Sequence, residues 1–217
     1  MATTRIMSLH TGKGRTVGRD IQDIIDYVEN PDKTDGGRLI SSYQCDSRIA
    51  DAEFLLSKRQ YLAKTGRRRG ADDVIAYTIR QSFVPGEITP EETNRLGYEL
   101  AHRFTKGKHA FIVCTHVDKA HIHNHIIWNS TTLDHDRKFR DFLGSGRAVR
   151  RLNDTICVQN GYSIVENPKR RVERISSGWM RTAWGRTTPF PRCWPSSPGR
   201  NSTLRFQKIS AAQVRRR

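Results

Sequence analysis

Several features that mark large protein classes are missing from this chain. It has no apolar run long enough to span a bilayer, and its N-terminus has no apolar core of the kind a secretory signal carries. A cytoplasmic protein without membrane insertion is the expectation. Cysteine is scarce: Cys45, Cys114, Cys157 and Cys193 lie far apart and match neither a disulfide framework nor a zinc-type spacing. The basic glycine loop Thr11-Gly12-Lys13-Gly14-Arg15 lacks the spacing of a nucleotide-binding P-loop, which leaves a turn that touches a DNA phosphate or a plain solvated loop. Acidic residues are also in short supply, with 22 Asp+Glu against 38 Lys+Arg and a net charge of +16. A polyanion, most economically nucleic acid, is the partner such a surface suits. At 217 residues there is room for one good-sized domain and little more.

The charge is unevenly spread. Residues 166–217 hold 13 Lys+Arg and 2 Asp+Glu, whereas residues 1–165 hold 25 and 20, an ordinary globular balance. No acidic residue follows Glu173, and three of the four tryptophans (Trp179, Trp184, Trp194) and five of the eight prolines fall from Pro168 onward. No helical or strand period persists there. Two segments are therefore expected: a folded domain over 1–168, and a basic, Trp- and Pro-rich tail over 169–217. The tail reads as poorly ordered, either the out-of-frame ending of a longer gene or a disordered DNA-binding arm.

Within the domain, residues 3–10 read as a first strand. Ile21, Ile24, Ile25 and Val28 follow at i, i+3, i+4, i+7, one face of an amphipathic helix that Asn30-Pro31 stops. Tyr27 lies about 120° from the centre of that stripe at 100° per residue, on the polar flank with Asp20 and Asp23, where a tyrosine needed only for packing would not sit. A short strand over 38–45, a helix over 51–64 and a strand over 74–83 come next. Thr89-Pro90-Glu91-Glu92 is a capping box with proline at the first helical position, opening a helix to about Phe104. Ser145 reads as the cap of a last helix that Gly161 stops, with Ile164-Val165 as a possible final strand. This order predicts an α+β layer fold with an antiparallel-rich central sheet and flanking helices.

Basic groups punctuate the loops and the last helix. Arg67, Arg68 and Arg69 form a basic turn, Arg137 and Lys138 sit beside Phe139 in a basic loop with one aromatic, and Arg147, Arg150 and Arg151 cluster on the last helix. Basic residues interleaved with rings are the equipment of single-strand binders, so these are candidate DNA contacts.

The densest chemistry lies in residues 115–129, which hold four of the eight histidines. Residues 110–114 are an apolar run of buried-strand type, Asp118-Lys119-Ala120 is a tight connection, and Ile126-Ile127-Trp128 continues a second strand. Side chains in a strand alternate, so His121, His123 and His125 share one face, and His116 reaches that face if the two strands pair as a hairpin. Grouped imidazoles add nothing to packing, whereas neutral imidazole is a common metal ligand. An all-nitrogen site suits Zn, Mn, Fe, Co or Ni better than Mg by ligand softness.

The motif His116-x-Asp118-x-x-His121-x-His123-x-His125, followed by apolar residues and Asn129, resembles the histidine motif of conjugative relaxases, the mobilization nucleases of the histidine-hydrophobic-histidine endonuclease superfamily. Here Asn124 stands between His123 and His125. The segment from Tyr27 through Asn30-Pro31 to Lys33-Thr34 resembles the nucleophile motif of the same family. The resemblance implies a palm like that of RNA-recognition-motif folds. It also implies Tyr27 as nucleophile, a divalent ion (Mg or Mn; Zn, Co or Ni remain open) on His116, His123 and His125, and Asp118 or His121 as base or ligand-orienting group. The substrate implied is single-stranded DNA at a transfer origin, with an accessory mobilization protein and a secretion coupling protein as further partners. A replication initiator nuclease of the same superfamily, or a non-catalytic DNA- or metal-binding remnant, would carry the same histidines.

Overall fold

The computed structural model describes residues 2–67, 70 and 73–166. Arg68, Arg69 and the tail over 169–217 lie outside the described residues. Five strands, β1 (Thr3–His10), β2 (Ile40–Tyr43), β3 (Val74–Ser82), β4 (Phe111–His116) and β5 (His123–Asn129), alternate with four helices, α1 (Val17–Glu29), α2 (Ala50–Thr65), α3 (Pro90–Thr105) and α4 (Ser145–Gln159). The sheet runs β1-β3-β5-β4-β2 and every neighbouring pair is antiparallel. The α+β expectation is met.

Alternation along the central strands feeds two cores. Phe111, Val113, Ile126 and Trp128 pack with Leu96 and Leu100 of α3 and with Val149 and Ile156 of α4. Ile112, Cys114 and Ile127 point the other way, onto Ile21, Ile25 and Val28 of α1 and Phe54 of α2. Covered on both faces, β4 is a continuous apolar run up to its last two residues. The helix ends follow local chemistry. Thr89 Oγ1 accepts the Glu92 N–H at 3.3 Å with Pro90 at the first helical position, and Thr16 caps α1 in the same way.

Three readings need correction. Ser145 is not the cap of α4: Gly144 precedes the helix, and the buried Ser145 hydroxyl accepts the Phe142 N–H at 3.0 Å. Ile164 and Val165 form no strand: the preceding Ser163 carbonyl accepts the Ala2 N–H at 3.1 Å, and Ile164 packs against the α3/α4 core. Phe139 is not a free stacking ring, since its ring centroid lies 4.9 Å from that of Tyr77 and 5.4 Å from that of Trp128. An aromatic beside a vacant apolar wall buries itself there, because its contact area outweighs the polarity of its sequence neighbours.

One contact seats α3 on the sheet. Asn124, pointing away from the histidines, donates to Gln81 Oε1 at 2.8 Å and to the Thr93 carbonyl at 2.6 Å, and accepts from Thr115 Oγ1 at 2.6 Å. The helix can come this close because Gly97 has no side chain: a Cβ there would lie 2.8 Å from Asn124 Cγ and 2.9 Å from Val113 Cγ1. Gly97→Ala is therefore expected to destabilise the domain by about 1–3 kcal/mol through overpacking. Urea denaturation checks this as a lower midpoint at unchanged slope; an unmoved midpoint would show that α3 is not seated against Asn124.

Candidate metal centre

The register of β4 on β5 places His116 opposite His123 and Cys114 opposite His125. His123 and His125 are two residues apart and share a face. His116 joins that face from β4, on the side that α1 covers. One ring nitrogen from each lies within 4.8 Å of the other two, and ring centroids are 4.5 Å apart for His116 and His125 and 5.2 Å for the other two pairs. Among the described residues this is the set of His, Cys, Asp or Glu side chains placed to hold an ion.

Burial sets the charge state of these rings. Desolvation is the first cause of a lowered pKa in all three: His123 falls to about 4, His116 is lowered, and His125 is lowered well below the ordinary value. Neighbouring histidines push the same way at His123 and His125, Lys33 does so at His116 and His125, and Arg80 at His125. The backbone then selects which nitrogen keeps its proton. His116 Nε2 lies 2.9 Å from the Val28 carbonyl, and His123 Nδ1 lies 3.3 Å from the His121 carbonyl. A carbonyl only accepts, so these nitrogens carry the hydrogens, which leaves the lone pairs on His116 Nδ1 and His123 Nε2. Three neutral imidazoles, two of them with oriented lone pairs, fit a divalent transition ion.

Tyr27 lies against this cluster. Although the helical wheel sets it off the apolar stripe, Tyr27 is half-buried and its ring packs against the edge of the core beneath α1. Its ring centroid is 6.3 Å from that of His116 and 6.0 Å from that of His125, edge-on to both. Lys33 Nζ sits 4.0 Å from the centroid of the Tyr27 ring. This lysine was not singled out from the sequence, although it stands in the same motif as Tyr27.

Two further groups escaped the sequence reading. Arg80 is directly opposite His125 in the β3–β5 register, and its signal was a lone exposed cation in an otherwise buried strand. Glu29, two residues after Tyr27, has one buried carboxylate oxygen without a hydrogen-bond partner. Desolvation, then Asp26, Asp51 and Asp46, push its pKa up to about 7.

The remaining candidates fall into separate places. Asp118 and His121 lie exposed in the β4–β5 connection. The His121 ring is 5.3 Å from that of His123, and the Asp118 carboxylate is near enough to favour the charged forms of His116 and His123. Because β5 begins at His123, His121 is off the strand and outside the converging three. Arg147, Arg150 and Arg151 are exposed on α4, beyond the opposite face of the sheet. Arg67 is exposed after the end of α2, and Arg137 is exposed in its loop. Lys138 differs from these: its side chain is only 9% exposed, and its ammonium is 2.7 Å and 2.5 Å from the two Asp73 oxygens.

The profile of the family described as "Relaxase: MobA/VirD2-like, nuclease domain" matches residues 27–162. A protein named Protein rlx from Staphylococcus aureus is 34% identical over 166 residues, covering 76% of this chain and 46% of its own length. A second Protein rlx from the same organism is 37% identical over 126 residues, covering 58% and 36%. The group II intron-interrupted relaxase LtrB of Lactococcus lactis subsp. cremoris is 30% identical over 179 residues, covering 67% and 32%. The chain thus spans less than half the length of each of these relatives. A solved structure titled "Molecular Basis of Vancomycin Resistance Transfer in Staphylococcus aureus" overlaps 76% of this chain and 96% of its own at 15% identity and a TM-score of 0.42, too loose an overlap to say anything of function.

The depressed histidines have a consequence for stability. The unfolded His123 takes a proton near pH 6.5 and the folded one near 4, so its burial costs stability in acid, and that cost disappears as the pH rises from about 4 to 6.5. Glu29 acts oppositely, losing stability as the pH rises from about 4.5 to 7. The readout is therefore the difference in unfolding free energy between the parent and His123→Gln without metal. It is expected to rise in the parent's favour from pH 4 to 6.5 and then level off; a flat difference would show that His123 is not held uncharged.

Proposed function

Since the chain belongs to the MobA/VirD2-like relaxase nuclease family, we propose that it cuts one DNA strand at a transfer origin through attack by Tyr27, in the mobilization of a plasmid or integrative element. The observation that carries this reading is the Tyr27 ring lying edge-on to two of three histidines whose ring nitrogens lie within 4.8 Å of one another.

A phenol with a pKa near 10 is a weak nucleophile at neutral pH. The Lys33 ammonium lies over the ring, and Asp118 or His121, at the mouth of the cluster, accepts the proton or orients the ligating rings. The Tyr27 oxygen attacks phosphorus, a P–Oη bond forms and the P–O3′ bond breaks. The products are a 5′-phosphotyrosyl strand and a free 3′-hydroxyl. His116, His123 and His125 would hold a divalent ion, which offsets the negative charge that grows on the phosphate. Mg or Mn is the ion the family relationship favours, while the nitrogen donors also admit Zn, Co or Ni. Because the covalent link keeps the energy of the phosphodiester, the strand can be rejoined, which suits transfer better than hydrolysis does. Single-stranded DNA is the substrate on this reading, and an accessory mobilization protein and a secretion coupling protein are its further partners. Among the described residues no helix is long and apolar enough to cross a membrane.

Tyr27→Phe is expected to retain DNA binding and to form no covalent adduct with labelled single-stranded oligonucleotides from the neighbouring DNA on denaturing gels. An adduct that persists removes Tyr27 from the role. Chelation is expected to abolish nicking by the parent, and undiminished nicking would refute the need for an ion.

A further inference from the structure

Two rows of side chains cross the sheet on the face that bears the histidines. One runs Thr3, Ser82, His123, His116; the next runs Arg5, Arg80, His125, Cys114. Both arginines are exposed. Directly paired residues of antiparallel strands have Cβ atoms about 5 Å apart, so Arg80 is a neighbour of His125 on one side and of Arg5 on the other.

Two cations paired across strands repel each other. Several arginines elsewhere on the domain are neutralised locally, Arg15 by Asp20 and Asp23, Arg95 by Glu92 and Arg103 by Glu99, whereas among the described residues Arg59, Arg140 and the α4 arginines stand exposed without a carboxylate. Among the described residues no carboxylate pairs with Arg5 or Arg80. The cost of this pairing is not met within the described fold, and the site that adjoins it is one proposed to act on a phosphodiester.

We infer that Arg80 and Arg5 form a phosphate track that carries single-stranded DNA from the reacting phosphate at the histidines across β3 to the β1 edge. This rests on the reading that DNA is the substrate. Arg80 takes the phosphate next to the reacting one and Arg5 the following one, each as a charged multi-donor fork. Beyond the edge the route continues, because Gly146 at the start of α4 lies against Ile6, beside Arg5, and Arg147 follows it. The track thus links the catalytic face to the α4 arginines on the other side of the sheet. It assigns binding to positions outside the motifs that carry the chemistry, and Arg5 lies outside the residues matched by the family profile.

The test is the salt dependence of binding of fluorescein-labelled oligo(dT), measured by anisotropy in the Tyr27→Phe chain so that no cleavage intervenes. Each lost phosphate contact is expected to reduce the slope of log K against log salt by about 0.7 for a single strand, so Arg5→Gln with Arg80→Gln lowers it by about 1.4. Arg80→Lys keeps the charge and keeps the slope. Arg103→Gln, on α3 and already paired with Glu99, leaves it unchanged. A double variant with the parent's slope, or an equal loss in Arg103→Gln, overturns the track alone. A parent that does not bind oligo(dT) overturns the DNA reading and the track with it.

Discussion

The antiparallel pairing of β4 with β5 is the constraint on which the site depends. A slip of one residue in that register would turn His123 and His125 toward the α3 layer and bring Asn124 onto the α1 face. Two things hold it. On one side Ile112, Cys114 and Ile127 are locked under α1 and α2, and on the other Asn124 is bonded to Gln81, Thr93 and Thr115. A residue that looks like a break in an otherwise regular histidine run is thus the anchor of the run's orientation.

The same burial that fixes the register prepares the rings. Imidazoles at the end of a covered sheet lose hydration, so they stay neutral at physiological pH without any dedicated base. Carbonyls of Val28 and His121 then assign the tautomers. The Val28 carbonyl belongs to the helix that carries Tyr27, so one element both orients a ligand and presents the phenol. Cations ring the cluster, with Lys33 over Tyr27 and Arg80 beside His125. Neutral rings beside cationic side chains are the surroundings that the proposed phosphodiester chemistry needs.

Much of this was legible in the chain, for physical reasons. Strand alternation at His123 and His125, the stripe of Ile21, Ile25 and Val28, and the Thr89 cap are local signals, and local signals survive into the fold. His121 misled because alternation continues in the letters after the strand has ended; β5 begins two residues later, where pairing with β3 and β4 begins. Phe139 and Lys138 misled because composition cannot reveal a tertiary partner, here the Tyr77/Trp128 wall and Asp73. Arg80 went unread because its meaning depends on the strands beside it, which only the sheet order supplies.

Three imidazoles from two paired strands meet beside a tyrosine, and the proposed cleavage needs one cation held between them. Anomalous diffraction from crystals soaked with manganese tests it most directly. The expected result is a strong peak bonded to one ring nitrogen each of His116, His123 and His125, on the side that Tyr27 faces. Manganese bound only by surface carboxylates, with no peak at the histidines, would contradict it.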